Sequence, residues 1–238
     1  MQSQLASLRN DLYLVYQPIV RRITTRETEM TDFEVLLRTK RNHRYPGDFM
    51  DFLISSENRN RQLLEWYSEE MIRIIQKHPT YRFDINIHPQ QLTHPSTWVF
   101  LESLLEWKDR IQIEMTEKPF QQSCTETSDD HSLCNQIKAI QKLGYRISLD
   151  DVGSGINTLE LIAGRMTGVS TLKFSIHNFR RISPDVLKHF IIAWRVFADS
   201  YGLRIVVEGV ENQTVADYLF ANGIEWQQGY YWAEKIDL

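Results

Sequence analysis

Acidic and amide side chains follow several short apolar runs of the sequence. They are Asn86, Glu114, Glu117, Asp150, Asp151 and Glu208. Carboxylates that crowd together repel one another and resist burial unless cations neutralise them. Oxygen donors without cysteine favour hard ions such as Mg²⁺ or Mn²⁺ over zinc. The pattern therefore predicts a divalent metal site.

Phosphodiester hydrolysis is the chemistry that suits such a site. Two ions about 3.5–4 Å apart bind the attacking water and the leaving oxygen of a phosphodiester. Lys173, within "LKFS", can hold the water or offset developing negative charge. A single acid after an apolar run is more often a helix cap or a loop residue. Several runs ending in this way favour a shared site, although spacing alone leaves their convergence open.

The elements that must position these groups form an alternating pattern. Short runs rich in β-branched and aromatic residues predict strands at 12–20, 33–37, 81–87, 110–115, 145–149, 171–174, 204–207 and 229–232. Most strands are separated by helical patterns, and nearly every strand reads as apolar on both faces, as in a parallel sheet covered by helices. The sequence predicts an α/β protein with a (β/α)8 barrel, whose sites form at the carboxyl ends of the strands.

Helix boundaries and one short connection refine this prediction. Ser183 with Pro184 begins a helix that stops near Gly202, and Gly144 and Gly223 end two others. The segment "RRITTRETEMT" between the first two strands is too short for a crossover helix. The first strand is therefore predicted to be antiparallel to the second, which makes the barrel irregular.

Length and composition narrow the class of protein. The chain has 238 residues, 42% of them hydrophobic and 24% charged, and a net charge of −4. We expect a single domain over residues 1–238, with no duplex nucleic acid and no membrane as partner. The start of the chain lacks a signal-peptide pattern, and Cys124 and Cys134 fit reduced thiols, which favours a cytoplasmic location.

Eight ordered motifs resemble those of the EAL family of cyclic di-GMP phosphodiesterases, and together they cover almost the whole chain. The motifs are "YQPIV" at 16–20, "FEVLLR" at 33–38, "INIHPQQL" at 85–92, "IEMTE" at 113–117, "LDDVGSGINTL" at 149–159, "LKFS" at 172–175, "VVEGVEN" at 206–212 and "QQGYYW" at 227–232. The resemblance implies an irregular barrel of the triosephosphate isomerase type. It also implies metal-dependent hydrolysis of cyclic di-GMP to the linear dinucleotide pGpG, and it allows for a homodimer.

The resemblance also implies a role for individual residues. The implied metal ligands are Glu34, Asn86, Glu114 and Asp150 for one ion, and Asp150 with Asp151 for a second. The other implied roles belong to Lys173 and Glu208, which position or activate the water, Glu117, which anchors the loop after Asp151, Gln228, in the water and metal network, and Gln17 and Arg38, which contact the substrate. The planar fork of an arginine such as Arg38 suits a phosphate.

Several positions depart from the family's motifs without removing a metal ligand. Ser175 replaces the usual aspartate after the lysine, and Val152 and Ile156 replace aromatic residues in the double-aspartate loop. A second hypothesis is therefore a non-catalytic EAL domain that binds cyclic di-GMP or a protein partner. The retained acids favour the enzyme, because they are costly to bury without metal. An aldolase-like barrel with Lys173 as a Schiff base leaves the acids unexplained.

Overall fold

Eight strands close into a barrel in the order of the chain. The computed structural model describes residues 11–116, 133–154, 159, 162–163, 168–233, 236 and 238. The strands are β1 (Leu12–Arg22), β2 (Thr28–Thr39), β3 (Arg82–Ile87), β4 (Ile111–Met115), β5 (Arg146–Leu149), β6 (Thr171–Ser175), β7 (Arg204–Glu208) and β8 (Trp226–Gln228). β1 is antiparallel to both β2 and β8, and all other neighbours are parallel. The predicted irregular barrel is confirmed.

Helices accompany the strands of this barrel. They are α1 (Gly47–Ile54), α2 (Glu57–Lys77), α3 (Pro95–Ser103), α4 (Leu133–Lys142), α5 (Pro184–Ser200) and α6 (Gln213–Ala221), with 3-10 turns at Pro89–Thr93, Leu105–Arg110 and Ile176–Phe179. Ser183 caps α5 as predicted, because its Oγ accepts a hydrogen bond from the backbone N–H of Val186. Among the described residues, every helix is too short or too polar to cross a lipid bilayer.

The two faces of the strands differ in chemistry. Along β3, the fully buried Phe83, Ile85 and Ile87 belong to the apolar core that the strands share with the helices. The alternate residues Asp84 and Asn86 lie on the opposite, inner face of the barrel. The expectation that nearly every strand is apolar on both faces is therefore wrong for the inner face. Both faces are buried, but the inner one is lined largely by polar side chains that bond to one another.

The eighth strand lies three residues earlier than predicted. β8 covers Trp226–Gln228, whereas 229–232 forms a turn. The backbone of Gly229 packs against the backbone of Val210, where an added Cβ atom would overlap the Val210 oxygen, so the site has no room for a side chain. The aromatic content of "GYYW" suggested a strand, but this close approach makes the chain turn immediately after Gln228.

Candidate active site

The strands bring the predicted site residues that the structure describes to one mouth of the barrel. In the strand register, Gln17 of β1 lies opposite Glu34 of β2, and Asn86 of β3 lies opposite Glu114 of β4. Glu208 of β7 likewise lies opposite Gln228 of β8. Paired residues of neighbouring strands point to the same face of a sheet. These side chains therefore converge within the barrel.

Lys173 is the centre of this cluster. Its side chain is fully buried, and Nζ lies 3.1 Å from Glu34 Oε2, 2.7 Å from Glu114 Oε1 and 2.7 Å from Glu208 Oε1. Burial lowers the pKa of Lys173, but the surrounding carboxylates outweigh burial and raise it well above its ordinary value. The lysine therefore stays charged and partly neutralises three acids.

Glu34 is the most fully hydrogen-bonded of these acids. Asn86 Nδ2 donates to its Oε1 at 3.1 Å, and Gln228 Nε2 donates to its Oε2 at 2.6 Å. Burial raises the pKa of Glu34, but Lys173 and the two amides outweigh burial, so the pKa lies below its ordinary value. Glu34 is therefore held as a carboxylate, with its oxygens oriented by its neighbours.

In the other acids of the cluster, burial outweighs the opposing interactions. Burial raises the pKa of Glu114 and of Asp150 well above their ordinary values, and it raises the pKa of Glu208 as well. Lys173 opposes the rise in all three cases, whereas neighbouring carboxylates add to it. Within the described part of the chain, Glu114 Oε2 is buried and accepts no hydrogen bond. An added cation would relieve this excess of negative charge.

The double-aspartate turn contributes the remaining two acids. The backbone N–H of Asp151 donates to Asp150 Oδ1 at 2.9 Å, and Asp151 has a φ of +49°. The N–H of the buried Val152 donates to the backbone oxygen of Lys173 at 2.9 Å. This bond ties the turn to the strand that carries the central lysine.

Two groups of acids have the geometry to hold metal ions. Glu34, Glu114 and Glu208 form one group, and Asp150, Asp151 and Glu208 form the other. In each group, one donor oxygen per residue lies within 4.8 Å of the others. All donors are carboxylate oxygens, which suit Mg²⁺ or Mn²⁺. The residues present therefore fit the predicted metal chemistry.

Glu208 has a larger part in this geometry than the sequence suggested. The resemblance implied a role on the water for Glu208, and a place for Asp150 beside Glu34 and Glu114. In the structure, Glu208 belongs to both acidic groups and Asp150 to the second. The position of Glu208 at the end of "IVVE" was the available signal, but a sequence does not show which residues of other strands a strand end faces.

Arg38 and Gln17, the predicted substrate contacts, lie beside Glu34. Arg38 is buried, and its Nη1 donates to the backbone oxygen of Leu37 at 2.7 Å. It lines a cavity of about 290 Å³ that also touches Glu34 and Asn86. Burial lowers the pKa of Arg38, while Glu34 opposes that change. Glu117, the predicted loop anchor, lies outside the described residues, as do Cys124 and Ile156.

Several known proteins are similar to this chain. The family model described as EAL domain matches residues 2–235. Cyclic di-GMP phosphodiesterase PdeR of Escherichia coli K12 is 27% identical over 242 residues, 97% of this chain and 35% of the relative. Probable cyclic di-GMP phosphodiesterase PdeG of the same organism is 26% identical over 239 residues, 93% of this chain and 44% of the relative. The chain thus spans less than half of the length of these relatives.

Solved structures show the same fold. An EAL domain protein from Listeria monocytogenes EGD-e has a TM-score of 0.73 at 21% identity, covering 99% of this chain and 94% of the other. A standalone EAL protein from Vibrio cholerae O395, bound to c-di-GMP, has a TM-score of 0.73 at 22% identity, covering 94% and 92%. At this level of identity the likeness supports the barrel architecture.

Proposed function

Because the chain belongs to the EAL domain family, we propose that it hydrolyses one phosphodiester bond of cyclic di-GMP and releases the linear dinucleotide pGpG. The observation that carries the proposal is the cluster of buried carboxylates around one lysine, Lys173. Such a cluster is costly to bury unless divalent ions share it. The curated relatives named as cyclic di-GMP phosphodiesterases support the choice of substrate.

We propose two divalent ions, Mg²⁺ or Mn²⁺, as cofactors. Glu34, Glu114 and Glu208, with the amide oxygen of Asn86, would hold one ion, and Asp150, Asp151 and Glu208 the other. When bound, such ions lower the pKa of water and neutralise charge on a phosphodiester. The two groups share Glu208, which supports a pair of neighbouring ions.

The chain's own residues bind and orient the reactants in this proposal. Lys173 stays protonated among the acids and offsets the negative charge that develops on the phosphate. Arg38 offers two parallel N–H donors to a phosphate from the cavity wall. Gln228 keeps Glu34 in a single orientation. Gln17 contacts the substrate and Glu117 anchors the loop after Asp151, as the family resemblance implies.

The biological setting is part of the same proposal. We place residues 1–238 in one catalytic domain that acts in the cytoplasm and pairs as a homodimer. By removing cyclic di-GMP, the protein would lower the second messenger that governs adhesion, motility and biofilm formation in bacteria.

One assay tests this function directly. Purified protein is incubated with cyclic di-GMP and Mn²⁺, and pGpG is measured by chromatography. We expect hydrolysis that disappears in Glu34→Gln and persists in Glu225→Gln, which changes an exposed glutamate paired with Arg21. Ca²⁺ in place of Mn²⁺ should inhibit, because the larger ion suits the geometry poorly.

A second candidate function follows from Ser175. This residue stands opposite Glu208 in the register of β6 and β7 and supplies a hydroxyl where the family motif has an acid. The change favours a domain that binds cyclic di-GMP without cutting it. Nucleotide binding by calorimetry without pGpG after several hours would establish that alternative and reject the enzyme.

A further inference from the structure

The turn that carries Asp150 and Asp151 has an unusual backbone. Asp151 has a φ of +49° and Gly153 a φ of +86°, both in the left-handed region. A non-glycine residue such as Asp151 adopts this region at some cost in energy. The two neighbouring carboxylates also repel one another when both are charged. The turn therefore needs support from outside itself to stay in place.

Two aromatic rings lie directly against this turn. A Cβ atom added to Gly153 would lie 3.2 Å from Phe179 Cζ and 3.3 Å from Trp194 Nε1. The backbone at Gly153 is thus in contact with both rings, and a larger residue would push against them. Val152, the neighbour of Gly153, stands where the family motif has a phenylalanine. In this chain the rings of Phe179 and Trp194 supply aromatic surface beside the turn.

Both rings also contact Phe174, which follows Lys173 in β6. Phe179 stacks on Phe174 with ring centroids 4.9 Å apart and an interplanar angle of 1°. Phe174 is fully buried and also contacts Trp194 of α5, at 6.5 Å between centroids. We call Phe174, Phe179 and Trp194 the aromatic platform. It joins the residue after Lys173 to the turn that carries the two aspartates.

A polar contact reinforces the platform from the same 3-10 turn. Asn178 Nδ2 donates to Ser154 Oγ at 3.3 Å, and Ser154 Oγ donates to the backbone oxygen of Asp151 at 2.7 Å. Asn178 and Phe179 therefore hold consecutive residues of the turn, one through a hydrogen bond and one through ring contact.

We propose that the aromatic platform is a positioning element for Asp150 and Asp151, which keeps both carboxylates at the distance from Glu208 that the second ion requires. The proposal rests on the proposed function, because it assigns these acids to a metal ion. Phe179 and Trp194 act through the backbone of the turn, so they are positioning residues. Residues that orient metal ligands typically change metal affinity by about 10–100-fold when replaced.

The test compares Phe179→Leu with Phe100→Leu. Phe100 is a matched control, because it is also a ring in a stacked pair, 5.6 Å from Tyr67 between centroids, on α3. In metal-free protein, we expect Phe179→Leu to speed hydrogen exchange of the backbone amides of residues 150–154 by roughly tenfold. Phe100→Leu should leave exchange there unchanged.

Metal binding gives the second measurement. In titrations with Mn²⁺, Phe179→Leu should lower the affinity of the weaker of the two sites by about 10–100-fold, or abolish binding there. Phe179→Met, whose unbranched side chain reaches further than leucine and can place its sulfur against the Phe174 ring, should recover part of that affinity. Phe100→Leu should bind both ions as the unmodified protein does, even if its thermal stability falls.

The outcomes separate this proposal from the proposed function. Unchanged exchange at 150–154 in Phe179→Leu overturns the positioning role, whatever the enzyme does. The same conclusion follows if Phe179→Leu binds two Mn²⁺ ions normally. Failure of the unmodified protein to bind Mn²⁺ rejects the metal assignment itself, and the positioning of metal ligands falls with it.

Discussion

Acids at the two ends of the barrel interior have different neighbours. At the carboxyl end of the strands, Glu34, Glu114 and Glu208 share the single ammonium group of Lys173, and Asp150 lies beside them. Burial raises the pKa of most of these carboxyl groups. This end therefore carries more negative charge than the neighbouring cation neutralises.

Acids at the opposite end have partners of their own. Asp32 is buried, with its Oδ2 2.9 Å from Arg204 Nη1 and its Oδ1 3.5 Å from Arg82 Nη1. Gln112 Nε2 donates to Asp84 Oδ2 at 3.0 Å. The two arginines neutralise Asp32 without any added ion, whereas burial raises the pKa of Asp84 to about 7 despite its bond to Gln112.

This difference distinguishes acids that stabilise the fold from acids that serve a functional site. Paired acids contribute to the fold, and removing one leaves an arginine without its partner. Acids in excess of their cations cost free energy in the metal-free protein, which is tolerated where a site needs them. Replacing an acid with its amide should therefore destabilise the metal-free protein at Asp32 and stabilise it at Glu114.

The largest effect is expected from Lys173→Met. The change removes the cation that contacts three carboxylates, two of them buried, so the free energy of unfolding should fall by about 3–5 kcal/mol. Activity should be lost as well. Urea denaturation measures the first effect. The control Lys188→Met, on an exposed pair with Asp185, should cost less than about 0.5 kcal/mol.

A smaller effect should differ in sign between Asp32→Asn and Glu114→Gln. The first leaves Arg204 without its charged partner and should cost about 1–3 kcal/mol. The second removes a poorly compensated charge and should stabilise the metal-free protein by about 1 kcal/mol, while abolishing hydrolysis. Urea denaturation of both variants in EDTA makes the comparison. Equal destabilisation by the two changes would contradict the distinction between the ends.

The pH dependence of the free energy of unfolding should reflect the buried acids whose negative charge is poorly neutralised. Burial raises the pKa of Glu114 and Asp150 well above their ordinary values, and that of Asp84 to about 7. These groups bind more protons in the folded than in the unfolded state, so metal-free stability should fall as the pH rises from about 4 through 7. The opposing contribution of Glu34, whose pKa is lowered, is lost only below about pH 4.

Denaturation at pH 5, 7 and 8.5 with and without Mn²⁺ measures this dependence. Mn²⁺ should stabilise the protein more at pH 8.5 than at pH 5, because it competes with protons for the same carboxylates. Asp84→Asn should remove only the part of the slope below about pH 7. A metal-free stability that rises steadily with pH would contradict the raised pKa values.

The smallest effect is expected from Arg204→Lys. Lysine keeps the charge beside Asp32 but loses the stacking of the guanidinium on Trp226, 3.8 Å from the ring centroid. The free energy of unfolding should fall by about 1 kcal/mol. Mn²⁺ affinity and hydrolysis should remain as in the unmodified protein, since this end lies outside the proposed metal site. A tenfold loss of Mn²⁺ affinity would show that the two ends are coupled.

The sequence predicted the barrel and the acidic mouth because both leave local signals. Apolar runs marked most of the strands, acids marked the ends of β4, β5 and β7, and Ser183 with Pro184 marked the start of α5. The inner polar layer was missed although Asp84 and Asn86 alternate with apolar residues in β3. Which strand ends face each other depends on closure of the sheet, so the double membership of Glu208 could not be deduced from spacing.

The seam between β1 and β8 has a consequence for biosynthesis. Only three residue pairs join the described parts of these strands, and the hydrogen bond from Gln228 to Glu34 spans 194 residues. Translation at about 5–20 residues per second separates the two side chains by roughly 10–40 s. Until β8 leaves the ribosome, the edge of β1 stays unpaired there and Glu34 lacks one donor. Chaperones that shield open sheet edges have that interval in which to act.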